Sequence, residues 1–341
     1  MYNYTNDFKL TFDQIAEIED KIYAMESGCD KIEAIQCDIN LVLSRRVCCF
    51  RDKDYNLPQN IFLIKFFKGY TVVGRKLRSV LYEEKKINAI NCSMITADML
   101  LGIYVNKGQR DRDIWIEYYP FEKSEKRNVF DVIKHDIQTE IIYPFLYREY
   151  ETGLEEITPP EGWDVDPEKV IYLGYGEEHL RKYSIDVLKK FLRNNKLKVF
   201  DPACSTGEFL YTLKQAYPSI ITIGQDLSSS MVEYAKSYVD IIYCGDSLYT
   251  PVEDYSVDII VFRFLNSEVV SREYAHELFN VLIKKLADSG IAVLFGHTAL
   301  LLKSSDFENA GYEVLQSTGY CEERDSIFQF YMIKRSPANK S

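Results

Sequence analysis

Histidine and tryptophan are scarce in this 341-residue chain, at four and two copies, and basic residues run short of acidic ones. No Cys-x-x-Cys pair occurs among the eight cysteines at 29, 37, 48, 49, 92, 204, 244 and 321. That excludes a zinc ribbon and gives no disulfide frame, so the cysteines read as free thiols in a reducing cytoplasm and no metal is expected. Lys and Arg total 41 against 52 Asp and Glu, a formal charge of −11. Neutralising a nucleic-acid backbone takes a concentrated basic face, so a small neutral or cationic substrate is the expected partner and nucleic acid is not. Long apolar runs are also missing: Lys65 interrupts the longest early one, and no membrane span is expected. The opening Met1-Tyr2-Asn3-Tyr4 lacks a basic-then-apolar leader, which places the protein in the cytoplasm. Oligomeric state has no signature. What the chain does have is 46% hydrophobic residues with 26 Tyr and 19 Phe, ample for a core and for an aromatic pocket.

The first half reads as a mixed region. Apolar residues recur at helical spacing over Phe12 to Met25 and over Asn128 to Tyr150, while Ile61 to Val73 and Ile114 to Tyr119 read as strands. The breakers Thr158-Pro-Pro-Glu-Gly162 mark a linker, dividing an N-terminal region, 1–160, from a second domain, 161–341. A helix over Glu177 to Asn194 leads into that domain. From Leu197 strands and helices alternate: strands at Lys198–Asp201, Ile220–Asp226, Asp240–Tyr243, Val257–Arg263 and Gly290–Gly296, helices at Gly207–Tyr217, Ser228–Tyr238 and Ser271–Ala287. Tyr312–Tyr320 and Ser326–Lys334 read as a closing hairpin. The expectation is an α/β fold, a mostly parallel sheet with an antiparallel C-terminal strand, preceded by a mixed α/β cap region. Ligands of such sheets sit at the carboxyl ends of the strands.

Three acids fall at those ends. Asp201 opens a turn of small residues, Pro202-Ala-Cys-Ser-Thr-Gly207, before a helix whose free N–H groups suit an anionic ligand. Asp226 closes the next strand roughly 20 residues beyond that turn, where an acid accepts ribose hydroxyls. Asp246, in Cys244-Gly-Asp-Ser247, is placed to accept from an adenine amino group. Each has a plainer alternative: an ordinary βα turn at Asp201, a residue preceding a helix capped by Ser228 at Asp226, a simple turn at Asp246. Their succession after three consecutive strands favours the ligand reading. A dinucleotide oxidoreductase ranks below it.

In these residues the stretch from Lys198 to Thr298 resembles the class I S-adenosylmethionine-dependent methyltransferases. The resemblance implies a Rossmann-like fold, S-adenosylmethionine as cofactor and methyl transfer as activity. It puts Asp201, Ala203, Ser205, Thr206 and Gly207 around the methionine part, Asp226 and Leu227 at the ribose, and Gly245, Asp246 and Ser247 at the adenine. The segment Tyr172-Leu-Gly-Tyr175-Gly176 corresponds to one that closes over the cofactor. The chain departs from the usual Gly-x-Gly-x-Gly at Ala203 and Ser205. The Ser205 hydroxyl either re-aims the methionine amine or caps the helix, capping being preferred.

Asp-Pro-Ala-Cys also resembles the first motif of DNA amino-methyltransferases, but their Asn/Asp-Pro-Pro-aromatic tetrad is replaced here by Arg263-Phe-Leu-Asn266. Arg263 is a candidate clamp for a substrate carboxylate, or an ion-pair partner that holds the loop. Asn266 either orients the same substrate or caps the following helix. His297, after the fifth strand, is a candidate base, with a structural histidine the more frequent case; His179 shares that ambiguity, and His135 and His276 read as surface positions. Taken together, Tyr-Gly-x-x-His, Asp-Pro-Ala-Cys-Ser-Thr-Gly and Arg-Phe-Leu-Asn resemble a bacterial natural-product branch of the family. That resemblance implies C-methylation of a 2-oxo acid such as 5-guanidino-2-oxopentanoate. Its alternative is cyclisation of S-adenosylmethionine to azetidine-2-carboxylate, in which Ser205 and Tyr175 would act on the amine. A reading of another class is a non-catalytic binding module. Tyr143, Phe145 and Tyr147 are expected to line the substrate pocket, or else to pack a helix.

Overall fold

The computed structural model describes residues 39–52, 61–65, 69–75, 94–110, 113–145, 163–166, 170, 178–192, 196–266, 269–296 and 298–336. The chain divides into two compact units, one of 2–155 with 317–329, the other of 156–316 with 330–341. No helix among the described residues is long and apolar enough to cross a membrane.

The described part of the first unit begins with helix α1 (Ile39–Leu43) and includes a six-stranded sheet. Its strands are β1 (Cys48–Asp52), β2 (Ile61–Lys65), β3 (Thr71–Arg75), β4 (Leu100–Arg110), β5 (Asp113–Pro120) and β6 (Ile141–Ile142), in the order β1-β5-β4-β3-β2-β6. Every pairing described in it is antiparallel. Ile61, Val73, Ile114, Ile116 and Phe145 form its apolar core. Helix α2 (Lys123–Ile133) buries Val129, Phe130 and Ile133 at i, i+1 and i+4, a stripe that faces inward. Among the described residues, Glu125 and Glu140 are buried acids of this unit, each with a basic partner. Glu125 takes both arms of the Arg45 guanidinium at 2.6 and 2.7 Å and also accepts the Glu122 amide at 2.8 Å. Glu140 pairs with Lys65.

Two expectations are corrected here, and one strand was not foreseen. The helix expected over 128–150 ends at Ile133, and Ile141–Ile142 pairs with Leu63 and Ile64 as a strand. The turn at 134–136 breaks the periodicity, and β-branched residues before Pro144 suit an edge pairing. Ile61 to Val73 is a hairpin of two strands, not one, with Gly69 at φ 81° just before the second. Strand β4 went unpredicted because Leu100–Arg110 carries two glycines and no clean alternation. The expected helix at Phe12–Met25 and the linker at 158–162 lie outside the described residues.

The second unit holds a seven-stranded sheet. Helix α3 (Glu178–Leu192) precedes β7 (Lys198–Asp201), α4 (Glu208–Ala216), β8 (Ile221–Asp226), α5 (Ser229–Ala235), β9 (Ile241–Cys244), β10 (Val257–Phe262), α6 (Arg272–Leu282), β11 (Leu286–Leu294), α7 (Ser304–Asn309), β12 (Tyr312–Cys321) and β13 (Ser326–Arg335). The strand order is β12-β13-β11-β10-β7-β8-β9. β9, β8, β7, β10 and β11 run parallel, and β13 pairs antiparallel with β11. This is the expected Rossmann-like α/β sheet with its antiparallel C-terminal strands. Central β10, Val-Asp-Ile-Ile-Val-Phe, is apolar on both faces, as a strand covered by helices on each side must be. Phe295 stacks on Phe330 at 5.5 Å and meets Phe209 at 5.6 Å, a run of fully buried rings. The neighbours of β7 are β8 on one side and β10 on the other, so the crossovers leave it in opposite directions. A crevice opens beyond such a switch point, at the strand C-termini.

Candidate functional site

Asp201 is the last residue of β7 and is fully buried. One carboxylate oxygen accepts the Ala203 amide at 3.1 Å, and the other lies 3.1 Å from Arg263 Nε. The following turn bends through two left-handed residues, Ser205 at φ 53° and Gly207 at φ 81°. A Cβ on Gly207 would also meet Val239 Cγ2 at 2.8 Å, so conformation and packing both demand glycine there. Ser205 has no such freedom and holds a strained conformation, at a cost of about 1 kcal/mol.

That strain is opposed by Asp226. Its two oxygens accept the Ser205 amide at 2.8 Å and the Ser228 amide at 3.0 Å. The same turn is tied to β8 through the Cys204 amide on the Gln225 carbonyl at 2.8 Å. Burial pushes the Asp226 carboxyl above its ordinary range, the Ser228 and Ser205 amides pull it back, and nearby Asp201 adds to the rise. A carboxylate has about four acceptor positions. Two on Asp226 serve the backbone, leaving capacity for a ligand's hydroxyls.

The third acid belongs to the same edge. The Gly245 amide bonds the Asp226 carbonyl at 2.9 Å, and the Ser247 hydroxyl bonds the Pro202 carbonyl. Asp246 accepts the Leu248 amide at 2.9 Å and the Tyr274 hydroxyl at 2.7 Å. From β8, the Gln225 side-chain amide donates to the carbonyls of Gly245 and Asp246 at 3.1 and 3.0 Å. The loops after β7, β8 and β9 are thus cross-linked, with the three expected acids brought together. Beside them Leu227 is 54% exposed and presents an apolar side chain at this edge. Thr206 and Ser247 are buried, and Ala203 is half-buried.

Arg263 follows β10 and makes the ion pair with Asp201, the loop-holding alternative of its two expected roles. Its guanidinium also lies 5.2 Å from the Phe209 ring centroid. Two capping expectations are corrected. Ser205 does not cap α4: the N-cap is Gly207, because the chain needs that left-handed residue immediately before the helix. Asn266 does not cap α6 either. Ser271 does, accepting the Tyr274 amide at 3.1 Å, while Asn266 is buried, reaches the Arg263 carbonyl at 3.4 Å and bridges to Leu300. Ser228 caps α5 as expected and donates to Asp164 at 2.7 Å. Tyr143 is buried in the first unit with Phe145, and Phe145 takes the packing role in that unit's core. His179 is buried on α3, His135 is exposed and His276 half-buried. Tyr147, Tyr175, Gly176 and His297 lie outside the described residues.

Sequence reasoning missed Tyr274, Gln225 and Asp164. Tyr274 stands 28 residues from Asp246, and no spacing rule links them. Gln225 was in principle visible, as a buried polar residue one position before the strand-ending Asp226. Burial, together with Asp201 and Asp226, pushes the Cys204 thiol well up, so it stays protonated and is no nucleophile.

The acceptors fit a zwitterionic amino acid joined to a nucleoside: carboxylates for amine, ribose and amino groups, and small residues where backbone approaches. A family model described as a methyltransferase domain matches residues 199–290. Isonocardicin synthase from Nocardia uniformis subsp. tsuyamanensis is 30% identical over 287 residues, 82% of this chain and 92% of that protein. Among solved structures, magnesium protoporphyrin IX methyltransferase from Synechocystis PCC 6803 with bound S-adenosylmethionine is 19% identical, with a TM-score of 0.39 over 56% of this chain and 95% of that one. A sugar N-methyltransferase from Streptoalloteichus is 14% identical, with a TM-score of 0.39 over 50% and 94%. Identity sustained along nearly all of a curated relative, together with the matched domain, decides the family. The chain belongs to the class I S-adenosylmethionine-dependent methyltransferases, and S-adenosylmethionine is its cofactor.

Proposed function

We propose that this enzyme methylates a small molecule in natural-product biosynthesis, at the carbon beside the carbonyl of a 2-oxo acid such as 5-guanidino-2-oxopentanoate. The observation that carries the cofactor geometry is the Asp226 carboxylate, which grips the turn at Ser205 and the helix start at Ser228 while keeping acceptor capacity for ribose. In this reading Asp201, Ala203, Ser205, Thr206 and Gly207 hold the methionine part, Asp226 and Leu227 the ribose, Gly245, Asp246 and Ser247 the adenine. Tyr175 and Gly176 are assigned to the cofactor from sequence. The relative's name, isonocardicin synthase, belongs to small-molecule chemistry, and the charge of −11 suits a guanidinium-bearing acceptor.

The bound cofactor supplies an electrophilic carbon on a sulfonium. The protein's part is to hold an acceptor carbon in line with it and to remove a proton beside the carbonyl. His297 is assigned as that base and Asn266 as a substrate contact. Arg263, paired with Asp201 and within 3.5 Å of the Cys204 carbonyl, keeps the turn in shape and is assigned to the acceptor's carboxylate.

A second reading is attack at the γ-carbon of the methionine chain, as in cyclisation to azetidine-2-carboxylate. It is favoured by Ser205, whose hydroxyl makes no hydrogen bond among the described residues and stands where the pattern has glycine. Product analysis separates the readings. S-adenosylhomocysteine formed only when a 2-oxo acid is added supports methylation. Methylthioadenosine formed from S-adenosylmethionine alone supports cyclisation, and methylthioadenosine that needs an acceptor points to transfer of the methionine-derived chain. Neither product across a panel of oxo acids, with binding intact, would favour a non-catalytic module.

A further inference from the structure

Asp246 is held by more groups than a turn acid needs. Its own turn supplies the Leu248 amide to one oxygen at 2.9 Å. The other oxygen takes the Tyr274 hydroxyl, at 2.7 Å, from the first turn of α6. Tyr274 is fixed in its turn, since its backbone amide donates to the Ser271 cap at 3.1 Å. The loop beneath is held separately by the Gln225 amide on the carbonyls of Gly245 and Asp246. One side chain therefore fixes the backbone and another fixes the carboxylate. Burial raises the ionisation point of the Tyr274 phenol, and the bond to Asp246 raises it further, so it remains a donor through the working pH range. A phenol that donates to one carboxylate oxygen fixes the directions in which the remaining lone pairs point.

We infer that Tyr274 is a positioning residue for purine selectivity, holding the Asp246 carboxylate in the orientation that accepts from the 6-amino group of adenine and repels a 6-oxo group. This rests on the assignment of Asp246 to the adenine under the proposed function. A site whose polar group is committed to one hydrogen-bond sense rejects the analogue of opposite sense strongly, because the mismatched pair is left facing each other without water. Without the phenol, the carboxylate keeps only its own turn's amide and rotates more freely. A rotated carboxylate tolerates the oxo group.

The test is the ratio of dissociation constants for S-inosylhomocysteine over S-adenosylhomocysteine, by calorimetry, in the full-length wild type, Tyr274→Phe, Tyr274→His and Asp246→Asn. The ring of Tyr274 is half-buried, so Phe preserves its packing. The expected result is a ratio about tenfold lower in Y274F than in wild type, approaching that of D246N, with the His variant in between because it keeps an N–H donor. Turnover at saturating cofactor should change less than about threefold, since the residue lies at the purine and not at the sulfonium. A purely structural tyrosine would weaken both ligands alike and leave the ratio intact, and that result in Y274F and Y274H overturns the inference while a lowered ratio in D246N upholds the Asp246 assignment. A wild type that does not discriminate, or a D246N ratio equal to wild type, overturns both.

Discussion

The two units treat buried acid in opposite ways. In the antiparallel unit each buried glutamate has a cation of its own: Glu125 faces Arg45 in a bidentate pair, and Glu140 faces Lys65. At the carboxyl edge of the parallel sheet, Asp201 and Asp226 are buried near one another and Arg263 pairs with the first. Asp226 relies on two backbone amides, and its carboxyl is shifted upward. Neutralised acids serve architecture. Acids that repel each other and keep acceptor capacity mark a place prepared for a ligand with donors of its own.

Four substitutions or titrations would sharpen or break this contrast. Asp226→Ala should weaken S-adenosylmethionine binding about a hundredfold in calorimetry, the loss of two hydrogen bonds to a charged acceptor and of the turn they support. A change under threefold would put Asp226 with the architectural acids. Glu125→Ala should do the reverse, lowering unfolding free energy by about 2–3 kcal/mol in denaturant titrations because Arg45 loses its buried counter-ion, with cofactor affinity within about twofold. Affinity that falls with stability would dissolve the distinction between the two sets. Arg263→Met removes the guanidinium from Asp201 and should raise the dissociation constant about tenfold, with a smaller loss of stability. If only stability moved, Arg263 would belong to the scaffold alone.

The smallest effect concerns acid. For Asp325, burial pushes the carboxyl upward, but the hydrogen bonds from Arg127 and Tyr320 outweigh it and leave it below its ordinary value. The unfolded chain then binds the proton first, so this contribution is complete at neutral pH and is lost as pH falls through the depressed folded value. Arg127→Ala should flatten the acid limb of the stability profile slightly, and an unchanged limb would show the pair to be idle. Asp325 is exposed enough for solvent to screen it, so the shift should be slight.

The parallel sheet was legible because its signals are local. Lys198–Asp201 and Val257–Phe262 are apolar runs ended by an acid or a basic residue, and helices α4 to α6 begin at small or hydroxyl residues that mark their starts. The three acids were legible for the same reason: each stands at the end of its own strand. Partnerships between distant positions were not. Nothing in the spacing of 246 and 274, or of 45 and 125, announces a hydrogen bond, since long-range pairing is decided by packing. The antiparallel unit read poorly for a related reason. Its strands differ in length from two residues to eleven and carry glycine where alternation is expected, as at Gly102, where a Cβ would strike the Tyr119 carbonyl oxygen.

The hairpin of β12 and β13 ties its own fate to two cores. Its outer part, 317–329, is counted with the first unit, where Ile327 exchanges backbone bonds with Ile95 and Gln329 reaches the Ile141 carbonyl at 2.9 Å. The flanking parts of the same strands finish the parallel sheet, Ile333 lying opposite Ala292. Each unit therefore draws backbone partners from the same two strands, so a change that unseats them is felt in both cores. Ile327→Pro, which removes the amide that bonds the Ile95 carbonyl, should make the protein more open to protease, and unchanged protection would show that hairpin bond to be dispensable.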